Sequence, residues 1–392
     1  MNALRILVTG ATGYVGSRLI AGLLEARHEV VAATRDPAKL GRFGWCDRVQ
    51  AVVLDADDPT SVETAFTVAG PIDVVYYLVH AIGEPDFRRR DNASAANVAA
   101  GAKAAAVKRI VYLGAFVPDG GRLSEHLASR AEVAAALAID GGPELVWLGA
   151  AVIVGAGSTS FEMVRYVGDR FWLIPLPPWA DHDIDPISIR DVLYYLLAAA
   201  DQAVVPAGSY DIAGPGRMTY RELLSIYIDA VGAVRAGLPM RDIVPRGVVG
   251  RVAGAAVPVP TGLAADLIES LDHPMTASDT VLRDHVPDPP GGLTAIDDAV
   301  AAAVSSRRPR PVDELADPHH LADSDPIWAG GDVLRLRRMA ATVTPAVARP
   351  ALGLIDAVPG PLAGALRTGL DLLLSKVHPD DHAGRHSRRC HQ

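Results

Sequence analysis

Cysteine is nearly absent. Two residues, Cys46 and Cys390, occur in 392. So few, so far apart, make neither a disulfide framework nor a CxxC metal or redox motif. Aromatic residues are also scarce, at 5%. Core volume must then come from alanine and valine, and helices should pack closely. Positive charge is in deficit: 37 Lys and Arg against 46 Asp and Glu give a net charge of −9. Such a balance disfavours duplex nucleic acid and anionic membrane surfaces as partners. A dense basic run, Arg88-Arg89-Arg90, reads as a solvated helix start. Clean apolar runs of the ~20 residues needed for a membrane span are missing. The most apolar late stretch, 247–268, is interrupted by Arg251, Pro258, Pro260 and Asp266. No charged leader, apolar stretch and cleavage site precede the first strand, which predicts a cytoplasmic protein.

What is present is an alternation of strand and helix patterns over the first 150 residues. Short apolar runs at Leu4–Thr9, Glu29–Thr34, Val49–Leu54, Ile72–Val79, Arg109–Gly114 and Leu145–Gly149 read as strands. Helical spacing separates them, as at Val15, Leu19, Ile20, Leu23 and Leu24. Continuously apolar strands between helices predict an α/β fold with a doubly wound parallel sheet of the Rossmann type. A smaller, mostly helical C-terminal substrate region follows. The expected divisions are 1–155 for the nucleotide-binding domain, 156–304 for the substrate region, 305–377 for a degenerate extension and 378–392 for a disordered tail. Trp172–Asp185 reads as an ordered cleft loop.

The strongest motif is Gly10-Ala11-Thr12-Gly13-Tyr14-Val15-Gly16, between the first strand and the first helix. A glycine at the turn, one beneath the pyrophosphate and one at the helix–strand contact fit a dinucleotide loop. The free N–H groups at the helix start would bind phosphate. The second strand ends in Thr34-Arg35-Asp36, not in the acidic residue that usually holds the ribose hydroxyls of NAD. Arg35, with Lys39 one turn on, points to the 2′-phosphate of NADP(H) rather than to NAD(H). Asp36 leaves NAD(H) open. Asp55 suits adenine contact, and Asp58 before Pro59 reads as a helix cap.

With these segments the chain resembles atypical, extended short-chain dehydrogenases/reductases. The quoted resemblance rests also on Tyr76–His80, Leu123–Leu127, Ala151–Ser158, Ser160–Met163 and Pro186–Val192. It is nearest the bacterial NAD(P)H-binding group related to NmrA-like proteins and to the 39-kDa subunit of respiratory complex I. The resemblance covers about residues 4–304. Members of the group often carry a further C-terminal domain, and Asp325–Gly331 resembles its beginning. Beyond that point the similarity thins.

The resemblance also implies a serine at the end of the fifth strand and a Tyr-x-x-x-Lys pair on the next helix. Here the strand ends Leu113-Gly114-Ala115, the tyrosine place holds His126, and the lysine place holds Arg130. Gly149 stands where a basic residue is implied. Arg130 can bond a ribose but cannot give up a proton. His126 can act as acid or base, or it is an exposed helix residue. His80, with Val79 beside it, follows the fourth strand at the carboxyl edge of the sheet. It reads as a cleft residue or as a structural hydrogen-bonding histidine. Asp181-His182-Asp183 does not place three ligands on one side of a strand or a helix, so no metal is expected.

Two functions remain open. One is an oxidoreductase passing hydride to an apolar or quinone-like small molecule, with Phe161, Met163, Trp172 and Trp179 near the substrate. The other is a non-catalytic NAD(P)H-binding redox sensor or structural subunit. Nucleotide-sugar epimerisation or dehydration leans on the missing tyrosine. The sequence leaves homo-oligomerisation open.

Overall fold

The apolar runs become strands because each is buried on both faces. A computed structural model describes residues 3–81, 86–117, 124–240, 258, 273–305, 308–343, 355 and 358–374. Its main strands are β1 (Arg5–Val8), β2 (Glu29–Thr34), β3 (Gln50–Val53), β4 (Val74–Tyr77), β5 (Arg109–Ala115), β6 (Glu144–Ala150) and β7 (Gly208–Asp211). They form one parallel sheet in the order β7-β6-β5-β4-β1-β2-β3. The helices of the first half are α1 (Tyr14–Glu25), α2 (Pro59–Ala69), α3 (Phe87–Ala104) and α4 (Glu125–Leu137). Successive residues of β1 serve opposite cores. Ile6 and Val8 pack with Leu19 and Leu23 of α1, whereas Leu7 packs with Val62 and Val98 of α2 and α3. Connections leave β1 toward β2 on one side and reach β4 on the other. The gap at this switch point, at the carboxyl edge, is where such sheets open a cleft.

α3 begins at Phe87. Its basic run lies inside the helix and is paired on the surface: Arg88 with Glu132, Arg89 with Asp86, Arg90 with Asp57. Asp58 caps α2 as expected, accepting from the Thr60 N–H at 2.9 Å. The Trp172–Asp185 segment is more regular than a loop. It contains the short strands Leu173–Leu176 and Asp183–Ile184 around one 3-10 turn.

The later helices are α5 (Thr159–Arg170), α6 (Ile189–Ala199), α7 (Tyr220–Ala230), α8 (Ile296–Ser305), α9 (Gly331–Val343) and α10 (Gly360–Leu374). Among the described residues no helix is long and apolar enough to cross a membrane. Residues 241–257 and 259–272 of the expected substrate region, and the tail from 378, lie outside the described residues.

The segment 308–332 is fastened to the rest by buried polar contacts. Arg18 of α1 and Asp325 form a two-pronged ion pair at 2.9 and 2.8 Å, each side chain 2% exposed. The same guanidinium donates to the carbonyls of Pro318, His320 and Ala156 and lies over the Tyr14 ring. On α5, Glu162 accepts from the Gly330 N–H at 2.9 Å, the Tyr166 hydroxyl meets the Trp328 carbonyl, and Arg170 grips Asp332. The Ser160–Met163 and Asp325–Gly331 motifs thus lie on two segments that hold each other.

A third contact has the residue order of a hydrolytic triad. The Ser188 hydroxyl lies 2.7 Å from His319 Nε2, and His319 Nδ1 lies 2.6 Å from Asp317. Ser188 and His319 are both fully buried, and Ser188 Oγ already accepts from the Arg190 N–H as the cap of α6. It is a sealed structural latch.

Candidate functional site

The glycine loop is shaped by close approach. Gly10 has φ +66°, and a Cβ there would lie 2.6 Å from the Leu78 carbonyl oxygen. A Cβ on Gly16 would lie 2.3 Å from the Gly10 oxygen, so the helix can sit against the loop only if this residue is bare. Gly13 is the N-cap of α1 and offers no side-chain hydrogen bond, and no acidic residue occupies the first turn. The helix start therefore presents free N–H groups and the positive end of its dipole without competition. Thr9 braces the loop, donating to the Tyr76 carbonyl at 2.9 Å and accepting from the Leu78 N–H at 3.1 Å.

A cleft of about 470 Å³ opens above this loop. Gly10, Thr12 and Gly13 line it, with Thr34 and Arg35 after β2, Asp55 and Asp57 after β3, and Val79, His80 and Ala81 after β4. Arg90, Asp91 and Ser94 of α3 close the side. The rest of the loop faces elsewhere. Ala11 is fully buried, Val15 packs on the core, and the Tyr14 hydroxyl is buried without a hydrogen-bond partner.

The expected adenine-end residues separate. Arg35 is exposed on the cleft wall. Asp36 turns away from it, because its carboxylate caps the next turn by accepting from the Ala38 N–H at 3.1 Å. Lys39 is not among the lining residues and pairs loosely with Asp36 at 3.9 Å on the surface. Asp55 accepts from the Asp57 N–H at 3.2 Å. Bonds from Ser94 and then Arg90 hold the Asp57 carboxyl below its ordinary range. One cation escaped the sequence reading: Arg42 lies over the Phe43 ring and donates to the Thr12 carbonyl at 3.2 Å, at the loop's rim. Nothing local in the sequence marks it.

At the β4 side the fold brings together His80, His126 and Arg130, and adds Asp91. His126 is not an exposed helix residue: it is 7% exposed, and its Nδ1 has no partner. The sheet-facing side of α4 buries it. Burial, then the Arg130 guanidinium and His80, lower its pKa to about 3. His80 is exposed at the cleft edge, where desolvation, then the Arg130 guanidinium, pushes its pKa down. Both rings are therefore neutral near neutral pH. Arg130 is committed: its Nη2 pairs with Asp91, both side chains being buried, and its Nε has no partner. Asp91 completes the clamp by accepting from the Ala81 N–H at 2.6 Å. Nothing in the residues adjacent to Asp91 marks it for this role.

The suggested substrate aromatics do not assemble. Phe161 lies fully buried in the core, Met163 packs on Tyr166, Trp179 meets Tyr220 edge-on, and Trp172 is 59% exposed beneath Arg235. A second cavity, about 550 Å³, lies at the carboxyl end of β7, with Asp185, Asp211, Arg217, Asp279 and Arg283 in its wall beside apolar residues such as Ile212 and Leu282. Among the described residues no group of three or more His, Cys, Asp or Glu side chains could hold a metal.

Residues 10–122 match the sequence family described as NAD(P)H-binding. Uncharacterized proteins of Mycobacterium tuberculosis and Mycobacterium bovis are 28% identical over 222 residues, 56% of this chain. The chain spans 23% of the length of these relatives. Among solved structures, a nucleoside-diphosphate-sugar epimerase from Staphylococcus aureus superposes with a TM-score of 0.61 at 17% identity, over 76% of this chain and 100% of that one. The Citrobacter sp. triphenylmethane reductase complexed with NADP(H) gives 0.57 at 22% identity, over 76% and 99%. UDP-glucose 4-epimerase from Bifidobacterium longum with NAD+ and UDP gives 0.57 at 16% identity, over 76% and 96%. At these identities the likeness is one of fold.

Proposed function

We propose that this chain, whose residues 10–122 match a family described as NAD(P)H-binding and whose fold is shared with extended short-chain dehydrogenases/reductases, is an NADP(H)-dependent reductase working without a general acid. Bound NADPH would supply a hydride to an apolar or quinone-like acceptor. The observation that carries the reading is the pairing of an uncapped, glycine-lined helix start with a β4 side whose titratable rings are neutral. The Gly10, Thr12 and Gly13 backbone would hold the pyrophosphate, Arg35 the 2′-phosphate and Asp55 the adenine.

The diversion of Asp36 into a cap supports NADP(H) over NAD(H), since that carboxylate is occupied away from the cleft. Arg35→Ala should weaken NADP(H) binding by about 1.5–3 kcal/mol, the range of a hydrogen bond to a charged group. NAD(H) binding should stay nearly unchanged. Equal losses for both cofactors, measured by calorimetry, would remove Arg35 from the phosphate site.

His126, with a pKa near 3, is the neutral imidazole at neutral pH, and its remaining N–H is a far weaker acid than an imidazolium. An acid role would make turnover fall as pH rises through its ionisation. The expected profile is instead flat between about pH 5 and 8, and His126→Ala should keep most of the activity. The test follows nicotinamide absorbance with a panel of quinones, aldehydes and dyes. A steep loss in His126→Ala would restore the acid. Tight NADPH binding with no turnover of any acceptor would favour the redox-sensor reading, which the committed Arg130 also suits.

A further inference from the structure

The carboxylate of Asp91 has no counterpart in the sequence reading, and its surroundings are unusual. The phosphate loop lies at the end of β1, and Arg35 and Asp55 mark the adenine end over β2 and β3. The nicotinamide half of a dinucleotide laid along this cleft must then pass over β4. There the lining residues are Val79, His80, Ala81 and Asp91.

We infer that Asp91 makes this site hold the oxidised nicotinamide more tightly than the reduced one. The inference rests on the dinucleotide reading above. One Asp91 oxygen is fixed by the Ala81 N–H and the other by Arg130, so the carboxylate cannot swing away. Asp91 is among the residues lining the cleft and Arg130 is not, so the carboxylate is the member of the pair nearer the ligand's space. Both side chains are buried, at 3% and 6% exposure, where salt screens little. Of the other charges on that wall, Arg90 is paired with Asp57. The oxidised nicotinamide ring is a cation, and the reduced ring is neutral. A fixed carboxylate at the ring's end of the cleft distinguishes them.

The test titrates the full chain separately with NADP+ and NADPH. The wild type should bind NADP+ about tenfold more tightly, the scale of a single charge acting at partly buried range. In Asp91→Asn the ratio should fall towards one, while Asp91→Glu should keep it. Because Asp91→Asn leaves a buried Arg130 unpaired, an Asp91→Asn/Arg130→Met double variant provides a folded version of the same measurement. A wild type that binds NADPH as tightly as NADP+ overturns the inference and leaves the dinucleotide site standing. So does an Asp91→Asn protein with an unchanged ratio. Binding of neither form removes both readings.

Discussion

Gly13→Leu is expected to abolish dinucleotide binding and leave the fold standing. Gly13 has φ −82° and ψ 171°, extended backbone that any residue adopts. A Cβ there meets only the Gly10 oxygen, at 3.2 Å, and the residue is exposed. The new side chain would stand over the first N–H groups of α1, in the pyrophosphate's place. Affinity should fall by at least about 100-fold, or roughly 2.7 kcal/mol. The melting temperature should move by only a few degrees, as for a change near 1 kcal/mol or less. Gly16→Leu is the contrasting variant. Its Cβ would lie 2.3 Å from the Gly10 oxygen, so the loop or the helix must shift and stability should drop. Calorimetry and thermal unfolding on both variants separate the two roles. Unchanged affinity in Gly13→Leu would show that the cleft does not hold a pyrophosphate.

Arg18→Ala should have the largest effect on stability. Removing one member of a buried ion pair strands the other, at a cost of about 3–5 kcal/mol. Asp325 would be left as a carboxylate 2% exposed. Against a total of roughly 5–15 kcal/mol for a folded domain, that is a large share. Arg18→Met combined with Asp325→Leu should recover much of the loss, since neither charge is then stranded. Urea unfolding of the two proteins gives the answer. A loss below about 1 kcal/mol in Arg18→Ala would mean that the pair is not closed in solution.

Features set by neighbouring residues could be read from the sequence. The glycine loop, the first-half strands and the Asp58 cap all depend on a few consecutive positions. Arg35 and His80 line the cleft because strand ends fix where they emerge, although the sequence left His80 open to a structural reading. Features set by distant partners could not be read. Asp91 looks like any polar residue in an alanine-rich helix until Arg130, 39 positions away, is packed against it. Arg130 was expected at a ribose because its place in the helix implies one, and its commitment to Asp91 depends on tertiary packing. His126 was open to an exposed reading because the burial of one face of α4 depends on what that face meets. The tryptophans near 172–179 were suggestive as composition, but each finds its own neighbour.

The bond between Arg18 and Asp325 also sets a schedule. These residues are 307 positions apart. A ribosome adding ~5–20 residues per second delivers the aspartate roughly 15–60 s after the arginine. For that interval α1 carries a guanidinium whose mate has not been made. The sheet can pair early, since six of its seven strands come from the first 150 residues. The far side of α1 cannot close until residue 325 has been made. A nascent chain halted short of residue 325 would therefore keep an open flank on its first helix, a mark by which unfinished copies differ from finished ones.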